Sequence, residues 1–345
     1  VHINTDKGIR GLGELNPSVR RADELGTLRQ MGETLIGRDP RQIEKLHALF
    51  DPASLDRIGF RALSALDQAL WDILGKSLDA PVHALLGGAC RDEIRLYANI
   101  NRATRGDRSP EAFARNATAA VSDGFDAIKL APFDGLARGI DKAEDAADGI
   151  ACMQAVRQAI GPNVDLLIDC HSHFTAKGAL AVAKALADLD LFWFEEPVPD
   201  EDIAGYLEVK AKSGLPIAGG ESRMHRRGFW QACNDNILDI AMPDVTIVGG
   251  ICELKKVAAM AEARGIRTAP HGPFGPVTTA SSVHAMAAHP AFAILEYAWG
   301  EVPWRPMLTL PNEKISNGRI TLPQTPGLGI ELDEKIVAAH RIAIS

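Results

Sequence analysis

DLLIDCHSHFTAKGALAVAKALADLDLFWFEEPVPDEDIAGYLEVKAKSGLPIAGGES, residues 165–222, decides the fold. Three apolar runs in it each end on an acid: Asp169 in LLIDC, Glu195 in LFWFEEP and Glu221 in PIAGGES. Each acid lies 26 residues after the last, a spacing that fits one strand, one helix and two turns. Packing alone gives no reason for carboxylates at equal intervals on strand ends. In a (β/α)8 barrel the C-terminal strand ends converge on one mouth, so the three would surround a single point. There they repel one another unless a cation sits between them.

Outward from this stretch the alternation continues. Strands are expected at 94–100, 127–131, 165–169, 191–195, 216–220, 237–244, 266–271 and 292–297, with helices between them at 110–123, 141–160, 176–188, 201–212, 251–264 and 278–288. Eight strands is the barrel count, and no G-x-G-x-x-G follows the first strand to favour a doubly wound sheet. Residues 1–15 read as a hairpin around Asp6-Lys7-Gly8, and 20–50 and 57–80 read as helical. That α+β pattern predicts a capping domain over 1–92, a barrel over 93–310 and a turn-rich segment, 311–345, that returns to the cap. The fold class is therefore α/β, a modified (β/α)8 TIM barrel whose capping domain draws on both chain ends.

Of the 345 residues, 46% are hydrophobic and 24% charged, with a net charge of −8. The balance leaves no basic footprint for nucleic acid or anionic lipid. No apolar stretch approaches the roughly 20 residues of a membrane span. No signal peptide is visible, and the chain starts at Val1, leaving open what precedes it. Five cysteines without a C-x-x-C pair suggest reduced thiols in a cytoplasmic enzyme. Cys170 adjoins Asp169, but strand alternation turns it to the other face.

Oxygen ligands favour a hard cation, Mg2+ before Mn2+, at Asp169, Glu195 and Glu221. His171 shares the face of Asp169 if the strand continues, and His173 extends that alternation as a substrate contact. His271 ends the seventh strand in APHGPFGP, and Asp244 ends the sixth in MPDVT. A carboxylate beside an imidazole orients it and raises its pKa, making a proton donor.

These residues, together with ALSALDQALWD (62–72), resemble the enolase superfamily, mandelate racemase subgroup, over nearly the whole chain. The resemblance implies abstraction of the proton α to a carboxylate, giving an enediolate stabilised by Mg2+ and a Lys or His base. Where a lysine-base member carries Lys-x-Lys, this chain has Lys129-Leu130-Ala131. Asp169-x-His171 instead resembles the sugar-acid dehydratases of the galactonate type. The resemblance then implies His171 as base, His271 as the acid that expels the β-hydroxyl, Asp244 as its orienting partner and Glu296 as a hydrogen-bond donor to the intermediate. Lys129 is a candidate contact to the substrate carboxylate, or a salt-bridged strand-end lysine. Arg223 and Trp299 are further substrate-pocket candidates, while Glu196 and His225 carry no assignment. The expected substrate is a small sugar acid, with an epimerase or lactone cycloisomerase as the alternative outcome, and a homo-oligomer is expected.

Overall fold

The computed structural model describes residues 1–15 and 21–342, Arg21 by its backbone alone. The chain begins with a hairpin, β1 (His2–Asn4) and β2 (Arg10–Leu12). Helices α1 (Arg21–Glu33), α2 (Ile43–His47), α3 (Arg57–Ser77) and α4 (Val82–Leu85) follow. The pattern over 20–50 promised one helical stretch. Its first residue lies outside the described residues, and the chain breaks into α1 and α2 around Gly37 (φ 76°) and Pro40.

The barrel strands and helices then alternate. They are β3 (Glu93–Asn99), α5 (Pro110–Ser122), β4 (Ala127–Leu130), α6 (Ala147–Ile160), β5 (Asp165–Asp169), α7 (Ala176–Ala185) and β6 (Leu191–Glu195). Next come α8 (Ile203–Ser213), β7 (Ile217–Gly219), α9 (His225–Asn234), β8 (Ile240–Ala241), α10 (Gly250–Glu262), β9 (Arg267–Thr268), α11 (Pro276–Ala287) and β10 (Leu295–Ala298). All eight strands pair in parallel in the order β10-β3-β4-β5-β6-β7-β8-β9. A bridge between Thr268 and Phe292 joins the two edges and closes the barrel. β8 and β9 are shorter than their apolar runs suggested, because Pro243 and Pro270 lack the N–H that the ladder needs next.

The eighth strand has no barrel helix after it among the described residues. Instead the chain runs through β11 (Thr309–Leu310), β12 (Arg319–Thr321), β13 (Glu331–Leu332) and α12 (Glu334–His340). β12 pairs antiparallel with the start of β3, and β13 with β11. Beyond β12 the tail reaches α3, where the Leu328 N–H donates to Asp72 (2.8 Å) and Lys76 meets Glu331 (2.5 Å). The expected return of the C-terminal segment to the cap is thus made at α3, with the last three residues outside the described part.

Alternation along the barrel strands sorts the interior into layers. Tyr97, Ala127, Leu167, Trp193, Ile240 and Ile294 fill the middle, where Tyr97 meets Trp193 edge to face at 5.3 Å. Two residues earlier, Arg95 and Asp165 close the lower end with an ion pair of 2.7 Å. Two residues later come Asn99, Lys129, Asp169, Glu195 and Glu296, all polar, at the mouth. The same pleat that buries an apolar residue therefore delivers an ionisable one at the next inward position.

The cap sits on the barrel through α3. Asp56 caps its N-terminus by accepting from Gly59 N–H (2.9 Å). Its side chain Asp72 accepts from Leu12 N–H (2.9 Å), so one buried carboxylate gathers hairpin, helix and tail. Gly11 and Gly13 let β2 lie directly on the α3 backbone; a Cβ at either would collide with the carbonyl of Ala69 or Ala65. No described helix is long and apolar enough to cross a membrane.

Gly13→Ala drives a methyl into the Ala65 carbonyl, and the expected loss is about 1–3 kcal/mol, read as a lowered urea midpoint at unchanged slope. Wild-type stability in this variant would mean that the hairpin does not rest on α3.

Candidate active site

β5 and β6 pair Asp169 with Glu195, so the two acids stand side by side at the mouth. Glu221 lies two residues past β7 and Asp244 three past β8. Lys129 reaches up among them from β4, fully buried. Its ammonium donates to both oxygens of Glu195 (2.9 and 3.1 Å), and it lies 3.0 Å from Glu296 and 3.6 Å from Asp169. Tyr97 supplies its ring face below the ammonium at 5.2 Å. Burial opposes the charge on Lys129, yet Glu195 and Glu296 outweigh it and raise its pKa well above the lysine range. Lys129 is therefore the salt-bridged strand-end lysine, not a free contact for a substrate carboxylate.

The strand expected to continue past Asp169 stops there. His171 and Ser172 take positive φ (43° and 58°), so a turn, not alternation, brings the imidazole back over Asp169. The His171 N–H donates to Asp169 Oδ1 (3.0 Å) and locks this turn. His171 Nε2 lies 3.0 Å from Asp169 Oδ2, and Nδ1 lies 2.5 Å from Asp134 Oδ1. His271 repeats the plan: Nδ1 lies 2.8 Å from Asp244 Oδ2 and Nε2 lies 3.3 Å from Glu221 Oε2. Asp244 is fixed in turn by Thr246, whose N–H and hydroxyl both donate to Oδ1 (2.7 Å each). Each imidazole thus has one nitrogen on an orienting carboxylate and the other turned to an acid of the mouth.

The carboxylates set the charge on both rings. Asp169 raises His171 to about 12, against burial and with help from Asp134. Burial opposes the charge on His271, but Glu221, Glu296 and Asp244 raise it to about 10. Glu296 is buried, yet Lys129 and His271 hold its carboxyl down at about 2. It accepts from Asn99 Nδ2 (2.8 Å) and from Gly272 N–H (2.9 Å). The hydrogen-bond donor expected at Glu296 is, in this arrangement, an ionised acceptor.

Negative charge is in surplus here. Burial, and then Asp169, push Glu195 well up; burial, Glu221 and Asp169 raise Glu196 to about 8. Glu196 Oε1 is buried without a hydrogen-bond partner, and Glu221 Oε2, also buried, has only its ion-pair contact with His271 Nε2. Under-satisfied buried carboxylate oxygens beside a carboxylate cluster suit the binding of a divalent cation. Donor atoms of Asp169, His171 and Glu221 lie within 4.8 Å of one another. Glu195, the third expected ligand, adjoins this group, with its oxygens taken by Lys129 and by Trp193 Nε1 (2.9 Å).

Three other candidates already have protein partners. Arg223 donates to Asp200 Oδ1 (3.0 Å) and to the carbonyl of Gly228 (2.8 Å), so its guanidinium fastens two loops and is not offered to a substrate. The Trp299 indole N–H donates to Asp123 (2.9 Å), just past the end of α5, which draws the ring away from the acidic cluster. His173 is buried with Nδ1 3.2 Å from the carbonyl of Ala137, and its own carbonyl accepts from Gly139 N–H; it pins the loop after β4. The residues missed from sequence are Asp134 and Glu196. Asp134 lies in that loop, four residues past β4, and Glu196 is the second acid of FEEP, turned inward by a positive φ of 39°.

The chain matches the family Enolase C-terminal domain-like over residues 112–336 and the Mandelate racemase / muconate lactonizing enzyme N-terminal domain over 1–87. It is 35% identical to a D-galactonate dehydratase of Variovorax paradoxus across 352 residues, 99% of this chain and 90% of that protein. It is 34% identical to a D-galactarolactone cycloisomerase of Agrobacterium fabrum, covering 99% of this chain and 90% of the relative. The crystal structure of a mandelate racemase/muconate lactonizing enzyme from Jannaschia sp. CCS1 superposes with a TM-score of 0.90 at 34% identity, over 100% of this chain and 92% of that one. The chain belongs to the enolase superfamily, whose members are enzymes that bind a divalent metal.

The carboxylate control of His271 is open to measurement. In protein stripped of divalent ions, the His271 imidazole should stay protonated through neutral pH and titrate near 10 by 15N NMR. Asp244→Asn removes one of three raising charges, so the titration should move down, by about one unit or more. A wild-type midpoint near 6.5 would refute this account of the ring's surroundings.

Proposed function

We propose that this member of the enolase superfamily is a Mg2+-dependent acid-sugar dehydratase, removing the proton α to a carboxylate and eliminating the β-hydroxyl to leave a 2-keto-3-deoxy acid. One observation carries the reading. Two imidazoles with carboxylate-bound Nδ1 atoms turn their Nε2 atoms toward Asp169 and Glu221, whose donor atoms come within 4.8 Å of each other. A substrate carbon above those acids would have a nitrogen on either side, the geometry for taking one proton and giving another.

Asp169, Glu195 and Glu221 would hold the ion, Mg2+ before Mn2+, with His171 adjacent. When bound, the ion supplies positive charge beside the substrate carboxylate and favours the neutral form of the neighbouring His171. The chain does the rest. His171 Nε2 takes the α proton while Asp134 fixes the ring at Nδ1. The electron pair moves into the carboxylate to give an enediolate, which is too unstable in water to form without such charge stabilisation. His271 Nε2 gives its proton to the β-hydroxyl, the C–O bond breaks and water leaves. Asp244 holds His271 in the orientation for that transfer, and tautomerisation of the enol gives the keto acid. Lys129 holds Glu195 in place and keeps Glu296 ionised. The reading includes a cytoplasmic location, self-assembly and a small-molecule partner, as the family resemblance implies.

The 34% identity to a lactone cycloisomerase favours a second reading that shares the first step. There the enolate is reprotonated or loses a ring oxygen, without release of water.

Isotope exchange tests the roles separately. With an aldonate substrate, Mg2+ and D2O, His271→Asn should still exchange the α proton while forming 2-keto acid at least about 100-fold more slowly, and His171→Asn should do neither. Chelation should abolish turnover and Mg2+ restore it. Wild-type exchange in His171→Asn would remove the base from this scheme, and 2-keto acid formed by ring opening of a sugar lactone but not from the aldonate, or α-proton exchange with no 2-keto acid at all, would select the second reading. Because the acid form of His271 is required, kcat should fall as pH rises into the alkaline range, and earlier in Asp244→Asn.

A further inference from the structure

A second cluster of metal-ligating side chains lies outside the barrel mouth, where the cap meets α10. His47 comes from α2, Asp67 from α3 and Cys252 from α10. His47 Nε2 lies 2.7 Å from Asp67 Oδ2, and one donor atom of each of the three residues falls within 4.8 Å of the others. Asp67 and Cys252 are buried, and His47 is nearly so.

Helix capping accounts for only part of this arrangement. Ser64 Oγ accepts from Gly249 N–H (3.0 Å) and Gly250 N–H (3.1 Å), and Asp67 Oδ1 accepts from Ile251 N–H (2.5 Å) and Cys252 N–H (3.3 Å). Two residues thus satisfy the first N–H groups of α10, leaving the imidazole of His47 and the sulfur of Cys252 surplus to that task. The sulfur has Trp71 Nε1 at 3.3 Å and opens onto a cavity of about 550 Å³, whose wall includes Arg41, Lys45, Trp71, Leu86 and Lys256. Of the ligands only Cys252 lines this cavity, whose wall carries four cations: Lys256 is paired with Glu44 (2.8 Å) and Glu253 (3.2 Å), Arg41 with Asp39 (2.9 Å), Lys255 donates to the carbonyl of Leu86 (2.7 Å), and Lys45 is the fourth.

We propose that His47, Asp67 and Cys252 form a zinc-type metal site that staples the capping domain to the barrel, with the cavity supplying entry and the fourth ligand. One nitrogen, one oxygen and one sulfur donor make a borderline-soft set that suits Zn2+ and serves Mg2+ poorly. The mouth, by contrast, is dominated by carboxylate oxygen, so the two sites would sort metals by chemistry. The thiol proton leaves to solvent as sulfur binds the ion. Because the ligands come from α2, α3 and α10, the bound ion would join elements of both domains and stabilise their docking.

Cobalt serves as the probe. The full chain, with excess Mg2+ to occupy the mouth, is titrated with Co2+ and followed by its thiolate-to-cobalt charge-transfer absorption. The expected result is a saturable band in the wild type that is lost in Cys252→Ser, together with a Zn2+-dependent rise in Tm that this variant lacks. No band at saturating Co2+, or a band unchanged in Cys252→Ser, overturns the site. His47→Gln gives a check that does not depend on the serine variant folding. Zn2+ should slow alkylation of Cys252 about tenfold in the wild type, measured against the exposed Cys90 of the same chain, and have little effect in His47→Gln. Equal protection in both proteins also overturns the proposal.

Discussion

The mouth of the barrel holds more negative charge than its own cations answer, and much of the structure reflects that imbalance. Two unit charges 4 Å apart at an effective dielectric of 20 interact by about 4 kcal/mol, so neighbouring carboxylates cannot be left to solvent screening once buried. Lys129 meets part of the demand, bonding Glu195 and lying beside Glu296. Its own burial is tolerable only because those partners are in place; removal of one member of such a pair costs about 3–5 kcal/mol. What Lys129 leaves unanswered is the side formed by Asp169, Glu196 and Glu221, where Glu196 Oε1 has no hydrogen-bond partner. The two imidazoles approach that side from opposite flanks, so in the proposed reaction the ion and the proton transfers share one place.

This also explains why the ion-pair network is built on strands. Asp169, Glu195, Lys129 and Glu296 occupy the last inward position of paired strands, where the register holds them relative to one another. The two rings proposed to move protons sit instead on turns just past strand ends. Each turn is tied from outside by a second carboxylate, Asp134 for one and Asp244 for the other. The cap contributes to the same positioning. Glu14 of the hairpin accepts from Gly275 N–H (2.6 Å) and Thr278 N–H (3.0 Å), closing the start of α11 directly after the His271 loop. Arg57 of α3 donates to the carbonyl of Ser222, next to Glu221 (3.1 Å). Cap and barrel are therefore coupled at two of the loops that carry the chemistry.

How much of this was legible in the chain depends on whether position is set by period. Strand identity was, because apolar runs spaced by 26 residues leave little else to form, and with it came the neighbourhood of Asp169 and Glu195. The Asp244–His271 pair was legible for the same reason: adjacent strand ends must be close. Residues set by turns were not. His171 reached Asp169 through left-handed backbone at two non-glycine residues, although alternation predicted its arrival by a different path. Asp134 lay in a loop whose course is decided by His173, Arg108 and the Ala131 carbonyl, none of which has a sequence signature. Arg223 and Trp299 looked like substrate ligands because both lie close to the mouth in sequence, yet each had a nearer acid to satisfy.

The same geometry bears on why relatives of one fold can end the reaction differently. In the proposed reaction the costly step is the first, making a carbanion next to a carboxylate, and charge at the strand ends would meet its requirements. On that reading the fate of the enolate depends on which atom stands next to the second imidazole: a hydroxyl leaves as water, whereas a ring oxygen leaves within the molecule. No strand residue has to change between the two, only the loops and cap segments that orient the substrate above fixed groups. In this chain those groups are held by hydrogen bonds within the barrel, and the pieces free to vary are the ones that the hairpin and α3 bring to the mouth. Sequence similarity to both a dehydratase and a cycloisomerase at nearly equal identity is the expected consequence of such a division of labour.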